Sequence, residues 1–137
     1  MNDQARRVFR EGVAPQLSVY ELLALQAGLL RSDPAIIQGD TVRPFHHHTK
    51  HREPEACCPI AYSQWKSADN LPGITVSEVD EEFAKVCARC DEALGYERSI
   101  RHFLNWVDDT PRTEMIRDLL AEVTIALTAR SMEMPAA

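Results

Sequence analysis

Apolar residues recur at helical spacing in three stretches of this 137-residue chain. In "SVYELLALQAGLLRS", Val19, Leu22, Leu23, Ala27 and Leu30 repeat with the period of one helix face. Ser18 and Glu21 stand at capping-box spacing, so residues 18 to 31 read as an amphipathic helix. Asp33-Pro34 ends it, because the residue before proline is pushed out of the helical region. In "SEVDEEFAKVCARCDEALG", Val79, Phe83, Val86, Cys90 and Leu94 form the stripe, with Ser77 as the cap and Gly95 as the stop. Glu78, Glu81, Glu82, Lys85, Arg89 and Glu92 fall on the other side, Glu81 and Lys85 at favourable i,i+4 spacing. In "DDTPRTEMIRDLLAEVTIALTAR", Thr110 is the cap, Pro111 takes the first helical position, and Ile116, Leu119, Leu120, Val123, Ala126 and Leu127 give one apolar face.

Between these stretches the pattern is shorter. "CCPIAYSQWKS" suits a short buried helix with Pro59 in its first turn, "ADNLPG" is turn chemistry, and "ERSIRHFLNWV" gives one or two further helical turns. Residues 32 to 55 have no period and read as one long loop, in which "AIIQGDTVRPF" can make a short hairpin about Gly39. Within the one domain, residues 1 to 17 are an N-terminal segment and residues 131 to 137 a fraying tail. The expectation is a single all-α domain over residues 1–137, a compact bundle of four to five helices with one long loop.

Composition agrees with a folded globular chain, at 45% hydrophobic and 26% charged residues. The formal charge of −6 argues against general nucleic-acid binding, which needs a basic surface to displace counterions. No segment approaches the roughly 20 apolar residues of a membrane span. "MNDQARRVFREGV" lacks the apolar run of a signal peptide, so a cytoplasmic protein is expected, monomeric or dimeric, with no membrane partner. In that compartment four cysteines are thiols or metal ligands rather than disulfides.

The densest chemistry is "PFHHHTKHREPEACCP", followed thirty residues later by "CARC". Zinc takes four Cys and His ligands, and the two-residue gap between Cys87 and Cys90 lets neighbouring thiolates share one ion. Cys57 or Cys58, with a histidine from His46, His47, His48 or His51 (His48 and His51 foremost), could complete the shell around one zinc. The other reading needs no cofactor. At ~100° per residue Cys90 falls at the centre of the Phe83/Val86/Leu94 stripe and Cys87 about 60° away, where both pack as small hydrophobes. Cys58 with His51 is the one thiol–base candidate for cysteine chemistry, and Asp108 with Asp109 reads as helix caps rather than a carboxylate pair.

"NWVDDTPRTEMIRDLLAEV" resembles the C-terminal signature of a family of small domains of unknown function found in actinobacteria and phages, W-N-D, three residues, then R-T and an amphipathic helix. Trp106, Asp108, Arg112 and Thr113 stand at the matching spacing, with Val107 in place of the asparagine. Gln38-Gly39 is similar to that family's W-x-Q-G segment without its tryptophan, and Cys57 with the following "CPIAY" to its C-x-x-G-A segment, Ala61 being the small residue kept. The resemblance implies a helical fold and a phage or mobile-element origin, which would accommodate an anti-defence role. The residues themselves read as architecture: Trp106 filling a helix junction, Asp108 accepting from backbone N–H groups, Arg112 pairing with Asp108 or Asp109.

The functional expectation is a small acidic, non-enzymatic interaction or regulatory protein that docks to another protein. The acidic side of residues 78 to 92 (Glu78, Glu81, Glu82) and the head of the histidine loop (His46, His47) are its candidate contacts. The alternatives are a zinc-binding structural domain and, last, a cysteine-dependent enzyme.

Overall fold

A computed structural model describes residues 1–44, 50–67 and 73–133. The first 17 residues contribute one side to the core. Ala5, Val8, Phe9, Gly12 and Val13 follow helical spacing and are all buried, and Asn2 caps the segment by accepting from the Ala5 N–H at 2.8 Å. Helix α1 (Asp3–Arg7) widens into a π turn over Val8–Val13, where the Ala14 N–H reaches the Phe9 carbonyl, and closes in a 3₁₀ turn at Ala14–Gln16. Gly12 is where this segment meets the rest of the core. A Cβ there would lie 2.5 Å from Cys90 Sγ and 2.9 Å from Leu94 Cδ1, so only glycine permits the approach.

Five further helices follow: α2 (Val19–Leu30), α3 (Pro59–Lys66), α4 (Val76–Leu94), α5 (Arg101–Asp109) and α6 (Arg112–Glu133). The described residues thus form an all-α fold of six helices, the N-terminal one being the addition to the expected set. α2 packs on α6 and α3, α3 on α4, α4 on the π turn, and α1 on α5. Phe9 and Phe103 sit 5.4 Å apart and Phe103 and Trp106 6.2 Å apart at ring centroids, and Trp106 on α5 is buried. α6 carries one buried charge on its apolar side. Glu122, 5% exposed, accepts from Arg6 Nε at 3.2 Å and from Arg10 Nε at 2.7 Å, which ties α6 to the N-terminal helix.

Several local expectations change. The capping box at Ser18 and Glu21 is present, but the buried face of α2 is Leu22, Leu25, Gly28 and Leu29. Val19, Leu23, Ala27 and Leu30 are not in the core, because a helix apolar on every side leaves its orientation to the neighbours it packs against. Thr75, not Ser77, caps α4: Glu78 N–H donates to Thr75 Oγ1, and Glu78 Oε1 accepts from the Thr75 N–H. Lys85 pairs with Glu82 at 3.1 Å rather than with Glu81. α6 begins at Arg112, one residue after Pro111, and runs to Glu133 through the start of the expected frayed tail. The turn residues 68–72 and the tail 134–137 lie outside the described residues.

The hairpin about Gly39 is also replaced. Its two limbs do not pair with one another; residues 55–58 lie between them. Strand β1 (Val42–Arg43) runs antiparallel to β2 (Ala56–Cys57), with Val42 opposite Cys57. On the other side the Ile37 N–H donates to the Cys57 carbonyl at 2.9 Å and the Cys57 N–H to the Ala35 carbonyl at 2.8 Å. "ACC" is wholly buried, and an inner strand is the place where its backbone groups are paired on both sides.

Two carboxylates hold corners of the fold. Asp91 accepts from Ser99 Oγ at 2.7 Å and from the Ile100 and Arg98 N–H groups at 3.0 and 2.9 Å, organising the turn from α4 into α5. Burial alone would raise its pKa, but these bonds, Ser99 foremost, hold it below the ordinary carboxylate value. Asp33 is lowered chiefly by the hydrogen bond from the Tyr62 hydroxyl. A depressed folded pKa adds stability above the unfolded value of roughly 4 and loses it as pH falls through the folded value. The melting temperature is therefore expected to drop below about pH 4, and Asp91→Asn to lower it at neutral pH while flattening that acid slope. An unchanged slope in Asp91→Asn would remove Asp91 from this role.

Candidate functional site

The cysteine and histidine positions come first because the sequence singles them out. Cys57 lies in β2 and Cys58 caps α3, so neither is in the helix expected to bury them; both are buried, as is Cys90, and Cys87 is half-buried. Burial pushes every one of these thiols up, Cys58 to about 12 and Cys87 to about 11. A thiol held protonated at neutral pH is a poor nucleophile, and His51 stands on an exposed turn whereas Cys58 is buried.

His51 is also in the wrong place for the "CARC" pair. The turn carrying it docks on the start of α4, where the Ser77 N–H donates to the Lys50 carbonyl and the Val76 N–H to the Arg52 carbonyl. Cys87 lies eleven residues further along α4, roughly 16 Å at 1.5 Å per residue, beyond what one zinc with bonds of about 2 Å can bridge. Cys90 Sγ faces Ser99 Oγ at 3.9 Å and packs against Gly12. Among the described residues no group of three or more His, Cys, Asp or Glu is arranged to hold a metal ion. His46, His47 and His48 lie outside the described residues. In a disulfide-exchange titration at neutral pH all four thiols are expected to react slowly, Cys87 first, and to become fast only on unfolding. A strong chelator is expected to leave the melting temperature unchanged; a large fall would instead restore the zinc reading.

The signature-like residues assemble into one structure. Gln38 Nε2 donates to the carbonyls of Val107 and Thr110, both at 2.6 Å, and the Gly39 N–H donates to Asp108 Oδ1 at 2.8 Å. Arg112 turns away from Asp108 and Asp109 and donates to the carbonyls of Ile36 and, at 2.8 Å, Asp33. The guanidinium thereby serves two loop carbonyls at once, that of Asp33 also accepting from the Ile36 N–H at 3.0 Å. Residues 33–39 are clamped to the α5–α6 junction. Thr113 is exposed beside the clamp. Asp108 accepts from a backbone N–H as foreseen, although the donor is 69 residues away.

On α4, Glu78 is occupied in the capping box, while Glu81 is exposed and Glu82 pairs with Lys85. The outer side of α4 is thus an acidic, solvated surface with Glu81 its unoccupied carboxylate among the three named from sequence.

The surface that sequence reasoning missed is on α2 and α6. Tyr20, Leu23 and Leu30 are 56%, 45% and 66% exposed, and Ala27 between them is exposed as well. They recur at i, i+3, i+7 and i+10, one continuous stripe. α6 runs antiparallel alongside: Gln26 Nε2 donates to Thr124 Oγ1 at 3.3 Å, and Arg130, near the end of α6, donates to the carbonyls of Ala14 and Leu17 ahead of α2. Thr124, Ile125 and Thr128 are exposed on α6, Ile125 at 49%. The one charge within α2 is Glu21, which accepts from the Ser18 N–H; the one charge between Leu119 and Ala129 is the buried Glu122. In a chain with 26% charged residues, the outer side of α2 from Val19 to Leu30 and of α6 from Leu119 to Ala129 carries no free charge, and the ion-paired Arg31 and Arg117 flank it. The missed signal was composition: "LLALQAGLL" has too many apolar residues for one face.

The described helices include none long and apolar enough to cross a membrane. No family model, curated protein or solved structure matches this chain.

Proposed function

We propose that this chain is a small acidic, non-enzymatic docking protein of the cytoplasm, which acts by binding another polypeptide through the uncharged side of α2 and α6. The observation that supports this reading is the exposed stripe of Tyr20, Leu23 and Leu30. Contiguous exposed apolar surface on a folded domain marks a contact site, and aromatic residues dominate the energy of such sites. The acidic side of α4, with Glu81 and Glu82, repels other acidic surfaces and so leaves the uncharged side for contact. Four unpaired thiols suit a reducing compartment.

A photo-crosslinking residue tests the reading in cells. Placed at Leu30 it is expected to yield discrete crosslinked bands, which disappear when Leu23→Glu is added; placed at the exposed Arg89 it is expected to yield none. Reversal of Glu81 and Glu82 to Lys is expected to leave the Leu30 bands in place, since neither carboxylate lies on α2 or α6. Absence of a discrete band from Leu30 would overturn the proposal.

A further inference from the structure

We infer that the polypeptide covering this face is a second copy of the same chain, joined across a two-fold axis by antiparallel contact of the two α2 helices; this rests on the docking reading above. Three observations carry it. The first is charge. Each copy has a formal charge of −6, so two copies repel wherever carboxylates face each other. The middle of the α2/α6 side, between the ion-paired Arg31 and Arg117, is where they meet with no free charge on either surface, and in an isologous contact residues near the axis meet their own kind, so any charge there would face itself.

The second is size. An antiparallel two-fold pairing centred level with residue 25 sets Tyr20 against Leu30 of the second copy and Leu23 against Ala27 of the second copy. Each large side chain of the inner pair meets a small one, as close helix packing requires. The stripe is thus complementary to itself when reversed. The third is extent. A stable interface takes about 800 Å² from each partner. The neighbouring uncharged residues Thr124, Ile125 and Thr128 of α6 widen the stripe without introducing a like-charge clash.

Sedimentation of the full chain across the micromolar range is the test. The expected species has twice the 15.5 kDa chain mass. Leu23→Ala leaves a gap and Ala27→Leu a clash, and each is expected to weaken the dimer about tenfold or more. The exchange Leu23→Ala/Ala27→Leu in one chain is expected to restore it, because the two-fold sets those positions against each other. Helical circular dichroism checks that each variant is folded, and both positions are exposed in the single chain. A dimer indifferent to all three variants would place the interface elsewhere and overturn the inference. A monomer that still gives discrete bands from Leu30 would also overturn it, while leaving docking to a different protein standing. A monomer with no such bands would end both.

Discussion

Gly28→Ala is expected to destabilise the protein, although it replaces a poor helix former by the best one in the interior of α2. Propensity alone favours alanine by about 1 kcal/mol. Against that, a Cβ on Gly28 would lie 2.5 Å from Tyr62 Cε1, 2.6 Å from its hydroxyl oxygen and 2.7 Å from Cζ. The ring has nowhere to go. Tyr62 is fully buried, its hydroxyl donates to Asp33 Oδ2 at 2.6 Å and accepts from Arg31 at 2.8 Å, and Trp65 stands edge-on at 6.0 Å. α2 must therefore shift away from α3, an overpacking cost at the upper end of ~1–3 kcal/mol or beyond. The net expectation is a loss of about 2 kcal/mol, some 5 °C in Tm. Thermal unfolding in a Tyr62→Leu background isolates the cause: with the ring removed, Gly28→Ala should become stabilising. The same loss in both backgrounds would mean that the contact with Tyr62 does not set the requirement for glycine.

Gly28 also shows why the fold was more legible than the face. The capping box of α2 is local chemistry over four residues and reads directly, as does the stop at Gly95, whose φ of +81° suits glycine. Orientation is not local. α2 has apolar residues on all sides, so spacing offers several equivalent faces, and the choice falls to Gly28, the residue that lets Tyr62 come close. The N-terminal helix was overlooked because charged residues, Arg6, Arg7, Arg10 and Glu11, interleave the buried ones. At α4, Ser77 is an acceptable cap by type, but Thr75 with Glu78 satisfies two backbone groups reciprocally and wins. The candidate site divides the same way. That thiols on an apolar stripe are buried can be read from "CARC", whereas the distance between His51 and Cys87 depends on how a loop docks.

Longest in range, and least visible in sequence, is the clamp at Arg112. Arg112→Ala is expected to cost about 3 kcal/mol, since two hydrogen bonds from a charged donor are lost and the carbonyls of Asp33 and Ile36 are left without it. Lysine should recover less than half of that, because a single ammonium lacks the planar fork that reaches both carbonyls. Gln38→Ala removes the other tie, to Val107 and Thr110, and is expected to cost about 1–2 kcal/mol. The two losses should not add. Both act on one segment, so the second change releases a loop already freed by the first. Amide exchange locates the effect: in Arg112→Ala the Ile37 and Cys57 N–H groups, paired across β2, should lose protection well before the amides of α4. Uniform loss of protection at every amide would show that Arg112 supports the whole fold rather than this segment, and unchanged stability would show that the clamp contributes nothing.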